Sequence, residues 1–150
     1  MPRAKRSLTD ADYERLAELR YGLRGFLHWS AQQARRAGIT PTQHQLLLAV
    51  RASRNPRGAT ISDVAELLMI RHHSAVGLVD RAQDAGLITR ERDPDQQSVV
   101  HLRLTDQGES VLSTLSEDHL RELTQLAPTM QALFGALSES EAAGLMLLRQ

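Results

Sequence analysis

The stretch from Ala59 to Gly108, ATISDVAELLMIRHHSAVGLVDRAQDAGLITRERDPDQQSVVHLRLTDQG, constrains the fold more than any other part of the chain. It parses as a short helix, a tight turn, a second helix and then a β-hairpin with a polar tip. Ser62 is placed to cap the first helix, which buries Val64, Ala65 and Leu68, and Met69 and Ile70 make the turn into a second helix opening near Arg71. The second helix sets Ala75, Leu78, Val79 and Ala82 on one face at helical spacing. It ends at Gly86, a residue suited to the left-handed C-terminal cap. Its other face carries Arg71, His72, His73, Val76 and Gly77, a mixture of small and hydrogen-bonding groups.

After that helix, Leu87 to Arg92 and Val99 to Leu104 flank the polar run Asp93-Pro94-Asp95-Gln96-Gln97-Ser98. In the second strand Val100, Leu102 and Leu104 alternate with Val99, His101 and Arg103, so the first set is expected on a buried face and the second on a wet one. Upstream, Thr9 and Asp12 form a capping-box signal for a long helix reaching about Ala37, with Gly38 as its stop. Leu16, Leu19, Leu23, Phe26 and Leu27 make one side of it continuously apolar. Thr40, Pro41 and Gln43 open a further helix through Leu46, Leu47 and Val50, which stops before the turn cluster Asn55-Pro56-Arg57-Gly58. Thr105 is placed to cap a helix carrying Val111, Leu112, Leu115, Leu120 and Leu123, which Pro128 breaks or kinks. Ser138 with Glu141 then predicts a separate last helix bearing Leu145, Met146 and Leu148.

The predicted fold is mainly α with a small β-hairpin wing, a winged helix-turn-helix lobe over residues 40–105 flanked by helices over 8–37 and 106–150, all in one domain spanning 1–150. The stripes Leu16, Leu19, Leu23 and Leu120, Leu123, Leu145, Leu148 are too apolar to leave wet on a small monomer. They predict a homodimer interface built from the two terminal segments.

A net charge of zero hides segregation along the chain. Residues 1–105 hold 16 Lys and Arg against 11 Asp and Glu, and residues 106–150 hold 2 against 7. Between Leu19 and Ser62 lie seven arginines and no acid. Such a division is expected where one end meets phosphate, although arginines merely solvating helix faces would give the same count. With no cysteine, the chain has no disulfide, cysteine-zinc or thiol redox chemistry. The aliphatic run Leu46 to Val50 is too short for a bilayer, and MPRAKRS followed by LTDADYE holds no apolar signal region, so a cytoplasmic protein with no membrane partner is expected.

The segments RHHSAVGLVDRAQDAGLITR and LRLTDQG resemble the recognition helix, wing entry and Leu-Thr-x-x-Gly exit of the MarR family of bacterial transcription regulators. The resemblance extends over nearly the whole chain. It implies a dimer that sets one helix of each subunit into a DNA major groove at a pseudo-palindromic operator, as a repressor released by a small, often aromatic, ligand. Arg71, His72, His73 and Ser74 on the first helical turn can then reach phosphates and base edges, while Val76 and Gly77 allow close approach. Arg57, Arg90, Arg92 and Arg103 are candidates for backbone phosphates, and Gln97 and Ser98 for the wing tip. One departure stands out. The family's wing usually carries Asp-x-Arg, whose arginine enters the minor groove, whereas this chain has Gln96, Gln97 and Ser98 at the aligned positions.

Tyr21, His28, Trp29 and His44 are the candidate ligand-binding residues, since the first helix holds most of the few aromatics. Gly22 and Gly25 interrupt that helix, each at about 1 kcal/mol relative to alanine, which points to a close helix crossing or a pocket wall. Six histidines raise the question of a metal, but there is no HExxH motif, and the adjacent His72 and His73 diverge by about 100° on a helix, so neither metal nor cofactor is expected. No GxxxxGK or GxSxG motif and no convincing acid pair is present, so catalysis is not expected. The alternative function is a winged-helix protein-interaction module with little DNA affinity, favoured by the balanced charge and the missing wing arginine.

Overall fold

The computed structural model describes residues 7–147. In chain order its elements are α1 (Asp10–Arg36), α2 (Pro41–Arg51), β1 (Ala59–Thr60), α3 (Ile61–Leu67), α4 (His72–Asp84), β2 (Ile88–Arg92), β3 (Val100–Leu104) and α5 (Asp106–Leu147). They divide into two compact units, a lobe of residues 30–118 and a second unit formed by the chain up to Trp29 and from His119 onward.

In the lobe, Leu46 and Leu47 of α2, Val64 of α3, Val79 of α4, Ile88 and Leu102 of the sheet and Leu112 and Leu115 of α5 enclose one apolar core. The face of α4 read from the helical spacing is the buried one, namely Ala75, Leu78, Val79 and Ala82. Thr40 and Gln43 cap α2 reciprocally, at 3.1 and 2.9 Å, with Pro41 at the start of the helix. The cap of α3 is Thr60 rather than Ser62. Thr60 has the extended backbone a cap requires and exchanges bonds of 3.1 and 2.8 Å with Asp63, whereas Ser62 already lies inside the first turn. Met69, at φ 54°, makes the turn between α3 and α4, and Gly86, at φ 75°, terminates α4.

The hairpin is part of a three-stranded antiparallel sheet of order β1-β3-β2. The third strand, in which Ala59 and Thr60 pair with Leu102 and His101, was not expected, because two residues hold no alternation to detect. His101 also departs from its expected place on the wet face. It is buried, because the turn through Arg57 and Gly58 and the side chain of Asp93 cover that end of β3, while Arg103 two residues later stays exposed.

The exit from the wing gives Leu104-Thr105-x-x-Gly108 a steric meaning. The Thr105 hydroxyl donates to the Gly86 carbonyl at 2.6 Å and accepts from the Gly108 amide at 3.0 Å, capping α5. A Cβ at residue 108 would lie 2.1 Å from the Leu87 carbonyl oxygen, so only glycine fits.

In the second unit, Thr9 and Asp12 cap α1, with the Thr9 amide donating to the Asp12 carboxylate at 2.9 Å. The predicted break at Pro128 and the separate last helix are absent: α5 runs through the proline, whose missing N–H leaves the flanking turns helical. The Ser138 hydroxyl donates one turn back to the Phe134 carbonyl at 3.1 Å, the bond of a serine inside a helix rather than of a cap. Leu16, Leu23, Leu120 and Leu123 are exposed and Leu19 is half-buried. The side chain of Leu145 is not among those described, and Leu148 lies outside the described residues. Neither Gly22 nor Gly25 marks a close crossing in the described chain, since a Cβ at either would meet nothing within 4 Å.

Candidate nucleic-acid interface

Helix α4 begins without a side-chain cap. Arg71 is its N-cap residue by backbone, at φ −70° and ψ 151°, but makes no capping hydrogen bond, and the first amide to return to it is that of Ala75 at 3.0 Å. The amides of His72, His73 and Ser74 therefore have no acceptor within the helix, and all three residues and Arg71 are exposed. Free N–H groups, the positive end of the helix dipole and an unpaired guanidinium converge there, an arrangement that favours an anion. Further along, Val76 and Gly77 are half-buried. A Cβ at residue 77 would meet only the end of the Arg81 side chain, at 3.3 Å, so that stretch is narrow.

The wing is bonded to itself. Arg57, in the turn before β1, donates from Nη1 to both oxygens of Asp93 at 2.9 Å and from Nη2 to Asp95 at 2.7 Å. Asp93 also accepts from the amides of Asp95 and Gln96 at 2.8 and 3.1 Å and from His101 Nε2 at 2.8 Å, while His101 Nδ1 donates to the Gly58 carbonyl at 2.9 Å. The His101 bond above all, then that of Arg57 and the backbone amides, hold the Asp93 carboxyl far below the usual carboxylate range. Asp93, and secondarily the Gly58 carbonyl, push the His101 imidazole above its ordinary value. Arg103 on β3 donates to Glu91 on β2 at 3.0 Å and to the Arg57 carbonyl at 3.1 Å, and Arg90 on β2 bonds Asp80 and Gln83 of α4. Of these wing arginines only Arg92 makes no ion pair among the described residues, and it is exposed, as are Gln97 and Ser98 at the tip.

Of the acids that hold the wing, Glu91, Asp93 and Asp95 were not given that part in the sequence. The alternation Arg90-Glu91-Arg92-Asp93 beside Arg57 was the available signal. Charge segregation along the chain does not survive folding either. The lobe of residues 30–118 contains ten arginines and eleven acidic residues, because the start of α5 brings its acids into it.

The four candidate ligand residues are divided between the units. Tyr21 is 81% exposed on α1, His28 is exposed, and Trp29 packs between Phe26 and His119 at ring separations of 6.0 and 4.8 Å. His44 is buried in α2 of the lobe. None of the four lines the cleft of about 550 Å³ bordered by Ala52, Arg54, Leu67 and Met69. Among the described residues no three potential metal ligands gather, and no helix is long and apolar enough to cross a membrane.

Residues 37–97 match the profile of the MarR family. No curated protein sequence gives a significant match. Among solved structures, AbsC, a MarR family transcriptional regulator from Streptomyces coelicolor, superposes with a TM-score of 0.71 at 18% identity, over 97% of this chain and 100% of that one. A MarR family protein from Bacillus stearothermophilus gives 0.68 at 21% identity, over 95% and 99% of the two chains. The S. aureus MepR–DNA complex gives 0.65 at 17% identity, over 96% and 100%. The lobe has the winged-helix fold of these regulators, the architecture expected from residues 59–108.

Proposed function

We propose that this chain, through its MarR-type winged helix, is a homodimeric, sequence-specific DNA-binding transcription regulator of the cytoplasm. It acts on a pseudo-palindromic operator as a repressor that a small molecule releases. The observation that carries the reading is the first turn of α4, where Arg71, His72, His73 and Ser74 are exposed above uncapped amides on a helix held rigidly by its opposite face. The structurally similar MepR is a protein solved in complex with DNA, which supports a DNA-binding role for this fold here. The exposed leucines of α1 and α5 support a second copy as the partner of those helices. A ligand would act by binding unequally to two spacings of the paired reading heads, and the aromatic group Phe26, Trp29 and His119 is the candidate contact for it.

A gel-shift titration on the DNA upstream of the protein's own gene tests this reading, with a random duplex as reference. Preferential binding to the upstream DNA is expected. Absent binding would instead support a protein-interaction module, and equal binding would overturn the sequence specificity. The observation favouring that second reading is the lobe's excess of acids over arginines, with Arg57, Arg90 and Arg103 already paired.

A further inference from the structure

We infer that His101 fully fastens the wing only in its doubly protonated form, so that raising the pH through its titration breaks one of its two ties, weakens the hold on Asp93 and loosens the wing tip. The geometry requires two protons. The Gly58 carbonyl can only accept, so Nδ1 must carry a hydrogen to make its 2.9 Å contact. Asp93 is bound by the Arg57 guanidinium and by two backbone amides, all donors to an ionised carboxylate, so Nε2 must also carry a hydrogen to make its 2.8 Å contact. A neutral ring would turn a lone pair toward one of these oxygens. The side chains of His101 and Asp93 are only 7% and 6% exposed, so water does not readily take the lost donor's place.

The charges facing the ring favour the imidazolium. Asp93 and Asp95 lie at the tip, Asp63 on the first turn of α3, and Glu91 directly across on β2, itself paired with Arg103. Arg57, from the turn before β1, is the cation opposing them. Removing the ring proton leaves Asp93 either without the ring, held by Arg57 and the two amides, or with a neutral donor in place of a charged one while the Gly58 tie is lost. The Asp93 carboxylate is also the acceptor for the amides of Asp95 and Gln96, so weakening its hold loosens the turn that carries Gln97 and Ser98. The sign follows from the raised imidazole value. The stabilisation is complete below the unfolded value of about 6.5 and is lost as the pH rises through the higher folded value.

The primary test is NMR of the whole protein without DNA, following the His101 ring signals and hydrogen exchange at the Asp95 and Gln96 amides. A His101 midpoint above about 6.5 is expected. Above it, amide protection corrected for the intrinsic rate should fall by up to about tenfold per pH unit, as release of a single proton dictates. A midpoint at or below the ordinary value, or protection flat through the titration, overturns the inference. A second arm, which rests on the DNA-binding reading, compares wild type with His101→Gln on a random-sequence duplex across the same pH range. His72 and His73 are present and exposed in both proteins, so the difference between the two profiles isolates His101. Wild type should lose more affinity with rising pH than the variant. Parallel profiles would overturn the link from wing to DNA. Absence of binding at every pH would sink the DNA-binding reading, with the NMR result still deciding the wing.

Discussion

Arg71 and Arg57 each precede an element of the reading head, the first at the start of α4 and the second in the turn leading to the sheet, and their surroundings are opposite. Among the described residues Arg71 makes no ion pair, and the three amides after it have no helical acceptor. Arg57 is joined to two aspartates, one of which it shares with a buried histidine and two amides. Uncommitted donors leave free energy to be gained from a ligand, whereas donors satisfied internally fix a shape and neutralise its charge. On this comparison α4 is left open to a ligand, and the wing holds its own shape.

The contrast breaks most directly at Asp93. Asp93→Asn removes the charge that Arg57 and His101 share and turns an acceptor into a donor opposite them, leaving two cations without their common partner. A fall of several degrees in melting temperature is expected, with loss of amide protection at Asp95 and Gln96. DNA binding should weaken equally on operator and random duplexes. A variant that melts with the wild type would mean that the wing is not held from within.

The same contrast gives Arg71→Ala the opposite signature. Its side chain is exposed and unpaired, so stability should stay within about 0.5 kcal/mol of wild type. If the guanidinium reads a guanine, preference at one base pair per half-site should drop by roughly 5- to 150-fold, the equivalent of about 1–3 kcal/mol. An equal loss on all sequences would make it a phosphate contact. Unchanged affinity everywhere would remove Arg71 from the interface.

These regions were not equally legible in the sequence. The α4 face was readable because helical spacing is a local property, and Ala75, Leu78, Val79 and Ala82 are buried as it required. Thr40 and Thr105 were readable as caps because a cap involves residues only three or four apart. The wing's interior was not. Arg57 and Asp93 are 36 positions apart, and Gly58 and His101 are 43 apart, so alternation alone placed His101 on the wet face. Thr60 was missed as the cap of α3 because β1 is too short to show where the extended backbone ends. The break at Pro128 rested on a local penalty that the long helix absorbs.

Ser98→Arg sharpens the comparison by giving the wing an uncommitted charge. Residue 98 is exposed in the tip turn, beyond the Asp93 network, so the new guanidinium has no acid assigned to it. Binding to operator and random DNA should tighten together. The salt dependence should steepen by roughly 0.9 log units per added phosphate contact in each half-site. An identical salt slope for variant and wild type would show that the tip does not reach DNA.

The smallest effect is expected from Glu91→Gln, which leaves the wing's shape in place and removes only a neutralising charge. Arg103 loses its ionic partner, but its Nη2 still donates to the Arg57 carbonyl, so the side chain stays against the turn. Both residues are about half exposed, where such a pair contributes about 0–1 kcal/mol, so the melting temperature should barely move. Affinity for any duplex should rise, because a phosphate no longer competes with a carboxylate for Arg103. The salt slope should steepen by less than in Ser98→Arg, since the retained carbonyl bond restricts the reach of the guanidinium. Salt titrations of both variants on one random duplex make the comparison. A slope change for Glu91→Gln equal to or larger than that for Ser98→Arg would mean that the wing meets DNA along its strands rather than at its tip, with its internal ion pairs acting as a brake on binding.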